Sequence, residues 1–336
     1  MRALVTGGCG FIGSNLARAL FKKGWKVTIV DDMSNGHLEL LEGLEFRTLP
    51  NAWFLDALRD FEKTDSEFMK RDFITVIQDD FSNARVLQSV ADGDYDVVFH
   101  QAAVPRVSYS VENPAETTHT NISKTISLFE AASGSTKRVV WASSSSVYGG
   151  AETMPTPETH DKSPKSPYAW QKSAVEDAAK IFCNLYDIDI VCLRYFNVFG
   201  PGQYGDSPYS TAISAWCNAI KTKSALRSDG DGTQSRDLCY VDNVVQANIL
   251  AAESDMKFNG REYNIACGDR TSNNEILNFL RERFPDLEIV SAPWRPGDVM
   301  HTQACIQKVK SELGYNPEVR IWEGLERTLQ WWGISE

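Results

Sequence analysis

The chain lacks the features of several common protein classes. No apolar run in its 336 residues approaches the roughly 20 residues that cross a bilayer, so no membrane-spanning segment is predicted. Lys and Arg number 34 against 45 Asp and Glu, the formal net charge is −11, and no basic cluster stands out. This balance argues against nucleic acid as a partner. The first apolar segment begins at Arg2, which leaves no room for a signal peptide and predicts a cytoplasmic protein.

The seven cysteines form no CxxC pair, and we predict no metal site. They are scattered along the chain as Cys9, Cys183, Cys192, Cys217, Cys239, Cys267 and Cys305. This scatter is typical of reduced core thiols in a cytosol-like compartment. The composition, 42% hydrophobic and 24% charged, is that of a globular enzyme with one large domain or two unequal ones.

A glycine-rich turn is the first positive signal. Residues 6–13 are Thr-Gly-Gly-Cys-Gly-Phe-Ile-Gly, between an apolar segment at 2–6 that predicts a strand and a periodic segment that predicts a helix. Backbone N–H groups and a helix N-terminus in such a turn can bind a diphosphate. A second strand, 26–30, ends at Asp31, and an acidic residue about 20 positions beyond the loop binds a ribose 2′-hydroxyl and repels a 2′-phosphate. The sequence therefore predicts bound NAD rather than NADP.

A tyrosine and a lysine at positions i and i+4, Tyr168 and Lys172, predict a catalytic base. Such positions share one face of a helix, so both side chains can point at one substrate hydroxyl. A phenol has a pKa of ~10, and a nearby ammonium lowers that pKa because it stabilises the phenolate. The serine run 143–146 can supply a hydroxyl that hydrogen-bonds the reacting oxygen. The alternative is an ordinary pair on a helix surface.

Strand and helix signals alternate through the first half of the chain. They predict a Rossmann-type, doubly wound parallel α/β sheet with its ligand at the carboxyl ends of the strands. Predicted strands are 2–6, 26–30, 72–78, 96–100, 138–142 and 190–194, and predicted helices are 86–90, 114–132 and 168–186. Residues 44–71 interrupt this alternation, and we predict a surface excursion that is helical over 56–68.

The periodicity weakens in the second half, where turns multiply. We assign 1–198 to an NAD-binding domain and 199–336 to a smaller mixed α/β substrate lobe, with some exchange of strands and helices between them. Helices are predicted in this lobe at 209–221, 242–252, 273–284 and 321–332.

Two arginines of the second half have the chemistry of phosphate ligands. Arg236 and Arg295 lie in glycine-containing turns, and a guanidinium matches the geometry of a phosphate. Together with Asn197 they could hold a nucleotide diphosphate. The alternative is that they pair with the neighbouring Asp237 and Asp298.

These segments together resemble the extended short-chain dehydrogenases/reductases, and within them the NAD-dependent epimerase/dehydratase family that acts on nucleotide sugars. The resemblance runs nearly from end to end and is strongest to UDP-N-acetylglucosamine 4-epimerases. Its motifs are TGGCGFIG (6–13), HQAA (100–103), SSSSVYG (143–149), YAWQK (168–172), LRYFNVFGPGQ (193–203), GDGTQSRDLCYVDNV (230–244), NIACGDRTS (264–272) and RPGD (295–298). It also implies a homodimer in which helices 114–132 and 168–186 of each subunit form a four-helix interface.

The resemblance implies a role for each matching residue. Tyr168 corresponds to the base that takes the proton of the sugar 4-hydroxyl, Lys172 to the lysine that holds the nicotinamide ribose, and Ser144 to the serine that hydrogen-bonds the 4-oxygen. The implied cofactor-binding residues are Gly7, Gly10, Phe11, Ile12, Gly13, Asp31, Asp32, Asn35, Gly36, the adenine-binding pair Asp80 and Phe81, Gln101, Ala102, Ala103, Ala142, Ser143, Tyr168, Lys172 and Tyr195. The implied substrate-binding residues are Ser144, Ser145, Ser146, Asn197, Arg236, Arg295, Asp298 and Thr302.

The implied reaction is oxidation and re-reduction at C4 of a UDP-sugar, through a transient 4-keto sugar. Related dehydratases carry an Asp-Glu pair where this chain has Ser145 and Ser146, which favours an epimerase. Thr302 stands where hexose-selective relatives carry a bulky Tyr, which favours UDP-N-acetylglucosamine and UDP-N-acetylgalactosamine as substrates. UDP-glucuronate, with Arg106 as the partner of its carboxylate, and UDP-glucose stay open. So does a non-catalytic sensor that only binds NAD.

Overall fold

A parallel sheet of eight strands lies at the centre of the computed structural model, which describes residues 1–55, 73–205, 210–294 and 299–334. The strands, numbered along the chain, are β1 Arg2–Thr6, β2 Lys26–Asp31, β3 Phe46–Leu49, β4 Ile74–Gln78, β5 Val97–His100, β6 Arg138–Ser144, β7 Ile190–Tyr195, β8 Val198–Phe199, β9 Leu226–Asp229, β10 Ser235–Arg236, β11 Cys239–Tyr240, β12 Glu262–Ile265, β13 Thr271–Ser272 and β14 Ile289–Ala292. The order across the central sheet is β12-β7-β6-β5-β1-β2-β4-β3. The chain thus begins in the middle of the sheet and builds outward to both sides, which confirms the predicted doubly wound α/β fold.

Helices cover both faces of this sheet. The helices of the described residues, those of the second lobe included, are α1 Phe11–Lys22, α2 Ala84–Ala91, α3 Val107–Glu112, α4 Pro114–Thr118, α5 Thr125–Ala132, α6 Pro167–Leu185, α7 Ala212–Thr222, α8 Val241–Glu253, α9 Asn273–Arg283, α10 Gln307–Leu313 and α11 Ile321–Trp331. One face packs on α1 and α8, and Leu16 and Ala247 are fully buried there. The other packs on α2, α5 and α6, with Leu128 and Val175 fully buried. Burying a side chain such as Leu contributes about 1.5–3 kcal/mol.

The helix predicted over 114–132 is present but not uniform. A π-helical segment, His119–Lys124, joins α4 to α5 and is wider than an α-helix, because its hydrogen bonds span five residues instead of four. A widened turn has no simple sequence signal, since its residues keep helical dihedral angles and helical propensity.

Residues 44–71 differ from the prediction where the structure describes them. β3 pairs in parallel with β4 and forms one edge of the sheet, so the predicted surface excursion is wrong for residues 46–49. Most of its side chains are only half-buried, because an edge strand has a neighbour on one side alone. The apolar pattern that marks a central strand is therefore weak. The helix predicted over 56–68 lies outside the described residues.

The second half of the chain contributes to the central sheet as well as to a separate lobe. β12 pairs with β7, so a strand from beyond residue 198 completes the sheet begun by the first half. The lobe contains the paired strands β8 and β11, β9 and β14, and β10 and β13, with α7, α9 and α11 packed around them. The helices predicted at 242–252, 273–284 and 321–332 match α8, α9 and α11 to within one residue.

Among the described residues, no helix has the length and apolar character needed to cross a bilayer.

Candidate active site

The carboxyl ends of the central strands meet in a cleft of about 880 Å³. The glycine-rich turn between β1 and α1 forms one wall, and its backbone is closely packed. Gly7 has a φ of +67°, and a Cβ there would lie 2.8 Å from the backbone nitrogen of Ala102. A Cβ on Gly13 would lie 2.1 Å from the carbonyl oxygen of Gly7. Only glycine fits at both positions, and its absence of a side chain lets a ligand approach the backbone.

The N-terminus of α1 opens into this cleft. Gly10 is its N-cap and offers no side chain, and the first turn carries no acidic residue. The first N–H groups of a helix have no partner within the helix, and the helix dipole favours an anion there. Phe11 and Ile12 line the cleft beside them. This cradle fits the diphosphate of a dinucleotide.

Asp31 lies at the end of β2, where the sequence predicts a ribose ligand. Its carboxylate accepts hydrogen bonds from the backbone N–H groups of Cys9 and Met33, both at 2.9 Å. Burial raises the pKa of Asp31, although these N–H groups oppose the rise by stabilising its charge. Gly36 passes so close that a Cβ would lie 2.5 Å from Asp31 Oδ1. Asp32 and Asn35, from the same loop, also line the cleft.

Of the predicted adenine-binding pair, Asp80 and Phe81, only Phe81 is among the described residues that line the cleft. Phe81 lines the cleft, and its ring centroid lies 4.8 Å from that of His100. The Asp80 carboxylate instead forms an ion pair with Lys124. Burial raises the pKa of Asp80, but hydrogen bonds from Lys124 and Ser82 outweigh this and leave the pKa below its usual value.

Tyr168, Lys172 and Ser144 come together at the inner end of the cleft. α6 places Tyr168 and Lys172 on one face, and β6 ends at Ser144, whose hydroxyl is hydrogen-bonded to the Tyr168 phenol. The Lys172 ammonium donates to the carbonyl oxygen of Ala142 at 2.6 Å and lies 5.8 Å from the centre of the Tyr168 ring. The backbone N–H of Tyr168 donates to Ser110 Oγ at 3.1 Å, which ties α6 to α3.

Burial dominates the ionisation of this group. It raises the pKa of Tyr168 to about 12, with the hydrogen bond to Ser144 opposing the rise. Burial also lowers the pKa of Lys172 to about 7, while the charge of Glu176 opposes that shift. The expected lowering of the tyrosine pKa is therefore not found in the chain on its own, because the phenol is fully enclosed. A positive charge bound beside the phenol would lower its pKa.

A buried charge network supports the catalytic helix from behind. Glu176, one turn after Lys172, accepts hydrogen bonds from Arg194 Nε at 2.8 Å and Nη2 at 2.7 Å, and from Ser143 Oγ at 2.6 Å. Arg194 Nη1 also donates to the Tyr148 hydroxyl at 2.8 Å. Ser143, predicted as a cofactor residue, lines the cleft and joins β6 to this network. Sequence reasoning missed Glu176 and Arg194, although a charged residue within the apolar strand β7 was a usable signal.

A second network lies below the cofactor side of the cleft. The Tyr195 hydroxyl accepts from Asn248 Nδ2 at 2.8 Å and lies 3.1 Å from Gln101 Oε1. Gln101 Nε2 donates to Asn248 Oδ1 at 3.1 Å. The predicted residues Gln101 and Tyr195 are thus held by Asn248 from α8, which sequence reasoning missed. The predicted residues Ala102, Ala103 and Ala142 complete this wall of the cleft.

The predicted nucleotide side forms an adjoining pocket of about 590 Å³, lined by Asn197 and Arg236. The Arg236 guanidinium donates to the carbonyl oxygens of Ser235 and Met300, both at 3.1 Å. Asn197 Nδ2 donates to the carbonyl oxygen of Asp237 at 3.2 Å and to Thr302 Oγ1 at 3.1 Å. Contact between that amide nitrogen and a phosphate therefore requires one of these bonds to open.

The other predicted substrate residues lie either in a turn after β6 or outside the described part of the chain. Arg295 and Asp298 lie outside the described residues. Ser145 and Ser146 form a short 3₁₀ turn after β6. The Ser146 hydroxyl is buried without a hydrogen-bond partner in the described part of the chain, and buried polar groups normally have one. The Asp237 carboxylate, considered above as a partner of Arg236, accepts backbone N–H groups at 2.9 to 3.0 Å.

Known proteins resemble this chain along nearly its whole length. The model of the NAD dependent epimerase/dehydratase family matches residues 3–266. A UDP-glucose 4-epimerase of Mycolicibacterium smegmatis is 32% identical, over 98% of this chain and 98% of its own. A UDP-glucuronate 4-epimerase of Thermodesulfobacterium geofontis is 30% identical, over 98% of this chain and 95% of its own. The structure of a UDP-N-acetylglucosamine 4-epimerase from Methanobrevibacter ruminantium, in complex with UDP-N-acetylmuramic acid, superposes with a TM-score of 0.85 at 34% identity, covering 98% of this chain and 97% of that one.

The fold, the glycine-rich cradle and these similarities agree with one another. The cradle at the start of α1 suits a dinucleotide, the matching family model is that of the NAD dependent epimerases/dehydratases, and the three proteins named above are UDP-sugar 4-epimerases. The chain therefore belongs to the NAD-dependent epimerase/dehydratase family of enzymes.

Proposed function

We propose that the protein interconverts UDP-N-acetylglucosamine and UDP-N-acetylgalactosamine through a transient 4-keto sugar. The observation that carries the proposal is the placement of Tyr168 and Lys172 on one face of α6, both lining a cleft that fits NAD, with Ser144 at the end of β6 close enough to the phenol to lower its pKa. NAD, when bound, accepts the hydride from C4 of the sugar and returns it.

Tyr168 would take the proton of the 4-hydroxyl at its phenol oxygen, and Ser144 would hold the same sugar oxygen from the other side. The Tyr168 pKa of about 12 in the chain alone makes the phenol a poor acceptor at neutral pH. A positive charge beside the phenol stabilises the phenolate, and Lys172 supplies such a charge when it is protonated. Because the pKa of Lys172 is about 7, its amine is only partly protonated at neutral pH. An anion bound nearby would favour the protonated form.

The choice among UDP-sugars rests on Thr302. Its hydroxyl accepts from Asn197 Nδ2 at 3.1 Å and from the backbone N–H of Asp237 at 3.3 Å, so this short side chain is bonded to Asn197, which lines the nucleotide pocket. A short side chain there leaves space for an N-acetyl group. The similarity to the UDP-N-acetylglucosamine 4-epimerase supports the same choice. The similar UDP-glucose and UDP-glucuronate 4-epimerases keep those two sugars as alternatives.

The test is to incubate the purified protein, with no cofactor added, with UDP-N-acetylglucosamine, UDP-glucose and UDP-glucuronate separately, and to identify the products by NMR. Preferred conversion of the first to its 4-epimer supports the proposal. Preferred turnover of another sugar keeps the reaction and rejects the substrate. Bound NAD without turnover of any sugar points to a non-catalytic sensor.

The role of Tyr168 is tested with Tyr168→Phe in the same assay. We expect at least a 100-fold loss of turnover with NAD still bound, because general acid–base catalysis contributes about 10²–10⁴-fold. Tyr186→Phe is the matched control, since Tyr186 lies exposed just beyond α6. Turnover by Tyr168→Phe within a few-fold of the parent would reject the base assignment.

We also propose that two copies pair through the exposed side of α6. Trp170, Ile181 and Leu185 are 50%, 55% and 70% exposed, and their spacing places them on one face of the helix. Val111 of the neighbouring α3 adds apolar surface, being 60% exposed. Light scattering after gel filtration should give the mass of a dimer for the parent and of a monomer for Leu185→Glu. A monomeric parent would reject the interface.

A further inference from the structure

We infer that Asn35 is a site of spontaneous deamidation, and that its conversion to aspartate or isoaspartate weakens the binding of NAD. The conversion depends only on the local structure of the loop after β2. Its consequence rests on NAD as the cofactor of the family and is independent of which sugar the enzyme converts.

Deamidation requires an asparagine whose following backbone nitrogen is free to attack its side chain. That nitrogen forms a bond to Cγ of the asparagine, the bond between Cγ and Nδ2 breaks, and ammonia leaves, so that a succinimide ring remains. Water then opens the ring at one of its two carbonyl carbons and gives aspartate or isoaspartate. A following glycine favours the attack because it has no side chain to hinder ring closure. The chain has two such pairs, Asn35-Gly36 and Asn259-Gly260.

The pair Asn35-Gly36 is open to this attack. It lies in an irregular part of the loop after β2, and Asn35 is exposed. The next backbone N–H, that of His37, donates to the carbonyl oxygen of Cys9 at 2.9 Å. The N–H of Gly36, by contrast, donates no hydrogen bond to any residue that the structure describes. Its nitrogen therefore breaks no hydrogen bond when it attacks.

The pair Asn259-Gly260 has the same sequence and different surroundings. Gly260 is buried, and its N–H donates to the carbonyl oxygen of Ile190 at 2.8 Å. The N–H of Asn259 donates to Asp189 Oδ1 at 3.0 Å. A Cβ on Gly260 would lie 2.8 Å from the backbone of Lys180, so close packing also holds this glycine. The chain thus contains one Asn-Gly pair with an unbonded nitrogen and one with a bonded nitrogen.

The product of deamidation at Asn35 lies where NAD binds. Asn35 lines the cofactor cleft, and deamidation adds one negative charge to a part of the cleft that already contains Asp31 and Asp32. Arg106 Nη2 lies 3.5 Å from Asn35 Oδ1 and would face the new carboxylate. The charge of Arg106 is already present before the conversion. The net change is therefore one further negative charge beside a dinucleotide whose diphosphate is itself negative.

The isoaspartate product also changes the backbone. It routes the main chain through the former side chain of residue 35 and lengthens it by one carbon. Gly36 is closely packed, since a Cβ there would lie 2.5 Å from Asp31 Oδ1 and 2.9 Å from Cys9 Cβ. The Asp31 carboxylate, predicted to bind the ribose, accepts the N–H of Cys9 at 2.9 Å. A longer backbone at this position therefore disturbs the surroundings of the ribose ligand.

The first experiment ages the purified holoenzyme in mildly alkaline buffer and follows both Asn-Gly pairs by peptide mass spectrometry, with isoaspartate and aspartate peptides separated by chromatography. We expect Asn35 to convert about 10-fold faster than Asn259, the factor that a hydrogen bond of ordinary strength contributes. Equal rates at the two pairs, or no conversion at Asn35, would overturn the inference.

The second experiment measures release of NAD. Ion exchange separates converted from unconverted protein, because the two differ by one charge, and each fraction is loaded with radiolabelled NAD and chased with unlabelled NAD. We expect release from the converted fraction to be roughly 3- to 10-fold faster, the size of a repulsion between exposed charges a few ångströms apart. Asn35→Asp, which has the added charge without the longer backbone, should also release NAD faster than the parent. Asn259→Asp is the matched control, since Asn259 is exposed and does not line the cleft.

A non-converting variant separates this effect from general ageing. In Asn35→Gln the longer side chain would have to close a six-membered ring, so conversion at this position is much slower. Its rate of NAD release, compared with its own starting value, should not rise with age. Equal release from the converted and unconverted fractions would overturn the consequence for NAD. So would an age-dependent rise in Asn35→Gln as large as in the parent, which would assign the change to damage elsewhere.

Discussion

The buried pair of Glu176 and Arg194 allows a quantitative test of what holds the catalytic helix in place. Glu176→Gln keeps the shape of the side chain and removes its charge. The Arg194 side chain is only 2% exposed and would keep its own charge. Breaking a buried ion pair by removing one partner costs about 3–5 kcal/mol. We expect about 3 kcal/mol, because the Tyr148 hydroxyl and Glu262, 3.6 Å from Arg194 Nη2, would still face the guanidinium.

The free energy of unfolding is measured by urea denaturation followed by tryptophan fluorescence. Glu323→Gln is the matched control, since it breaks an i,i+4 pair with Arg327 whose side chains are 54% and 45% exposed. Exposed pairs of this kind contribute about 0.3–0.5 kcal/mol. Replacing both buried partners, as Glu176→Leu with Arg194→Met, should cost less than Glu176→Gln alone. A loss for Glu176→Gln no larger than that for Glu323→Gln would refute the reasoning.

Three further predictions concern specificity, acid stability and the pH profile. Thr302→Tyr should lower kcat/KM for UDP-N-acetylglucosamine at least 10-fold while sparing UDP-glucose; an equal effect on both sugars would show that Thr302 is not the gate. His100 is fully buried between Thr6 and Thr125, and burial lowers its pKa to about 3. In the unfolded chain His100 binds a proton below about pH 6.5, whereas in the folded chain it does not. The free energy of unfolding should therefore fall by about 2 kcal/mol as the pH is lowered from 6.5 to 5. Urea titrations of His100→Gln should lack this loss, and an unchanged slope with pH would contradict the assignment. Glu176→Gln should also lower the pKa of Lys172 further, because it removes the charge that opposes the effect of burial. As the pH is raised, the affinity for NAD should then fall at a lower pH in the variant than in the parent. Coincident pH profiles of NAD affinity would argue against this coupling.

The central strands and the glycine-rich turn could be predicted from sequence because each carries a local signal. Buried parallel strands are continuous apolar runs, and the turn has glycines at positions where a Cβ would collide with backbone. β3 could not be predicted in the same way, since it is an edge strand with half-buried side chains in a charged region. Its place depends on β4, which lies beyond residues 56–72 in the chain.

The composition of the site was more predictable than its contacts. Spacing alone brings Tyr168 and Lys172 to one face of a helix, and the structure joins them to Ser144. No spacing rule indicates that Asn197 donates to Thr302 or that Arg106 reaches Asn35, because these contacts depend on how separate loops meet. The high pKa of Tyr168 likewise follows from enclosure by distant segments.

The pairing of β12 with β7 has a consequence for the protein during translation. β7 is complete when Tyr195 has been synthesised, but its open edge is covered only after Glu262–Ile265 follow. At ~5–20 residues per second, the ribosome needs roughly 4 to 14 s for this interval. Over that time the nascent chain presents an apolar strand edge, the kind of surface through which polypeptides aggregate. A fragment that stops at residue 198 would keep this edge permanently, so the NAD-binding half should not be separable by truncation.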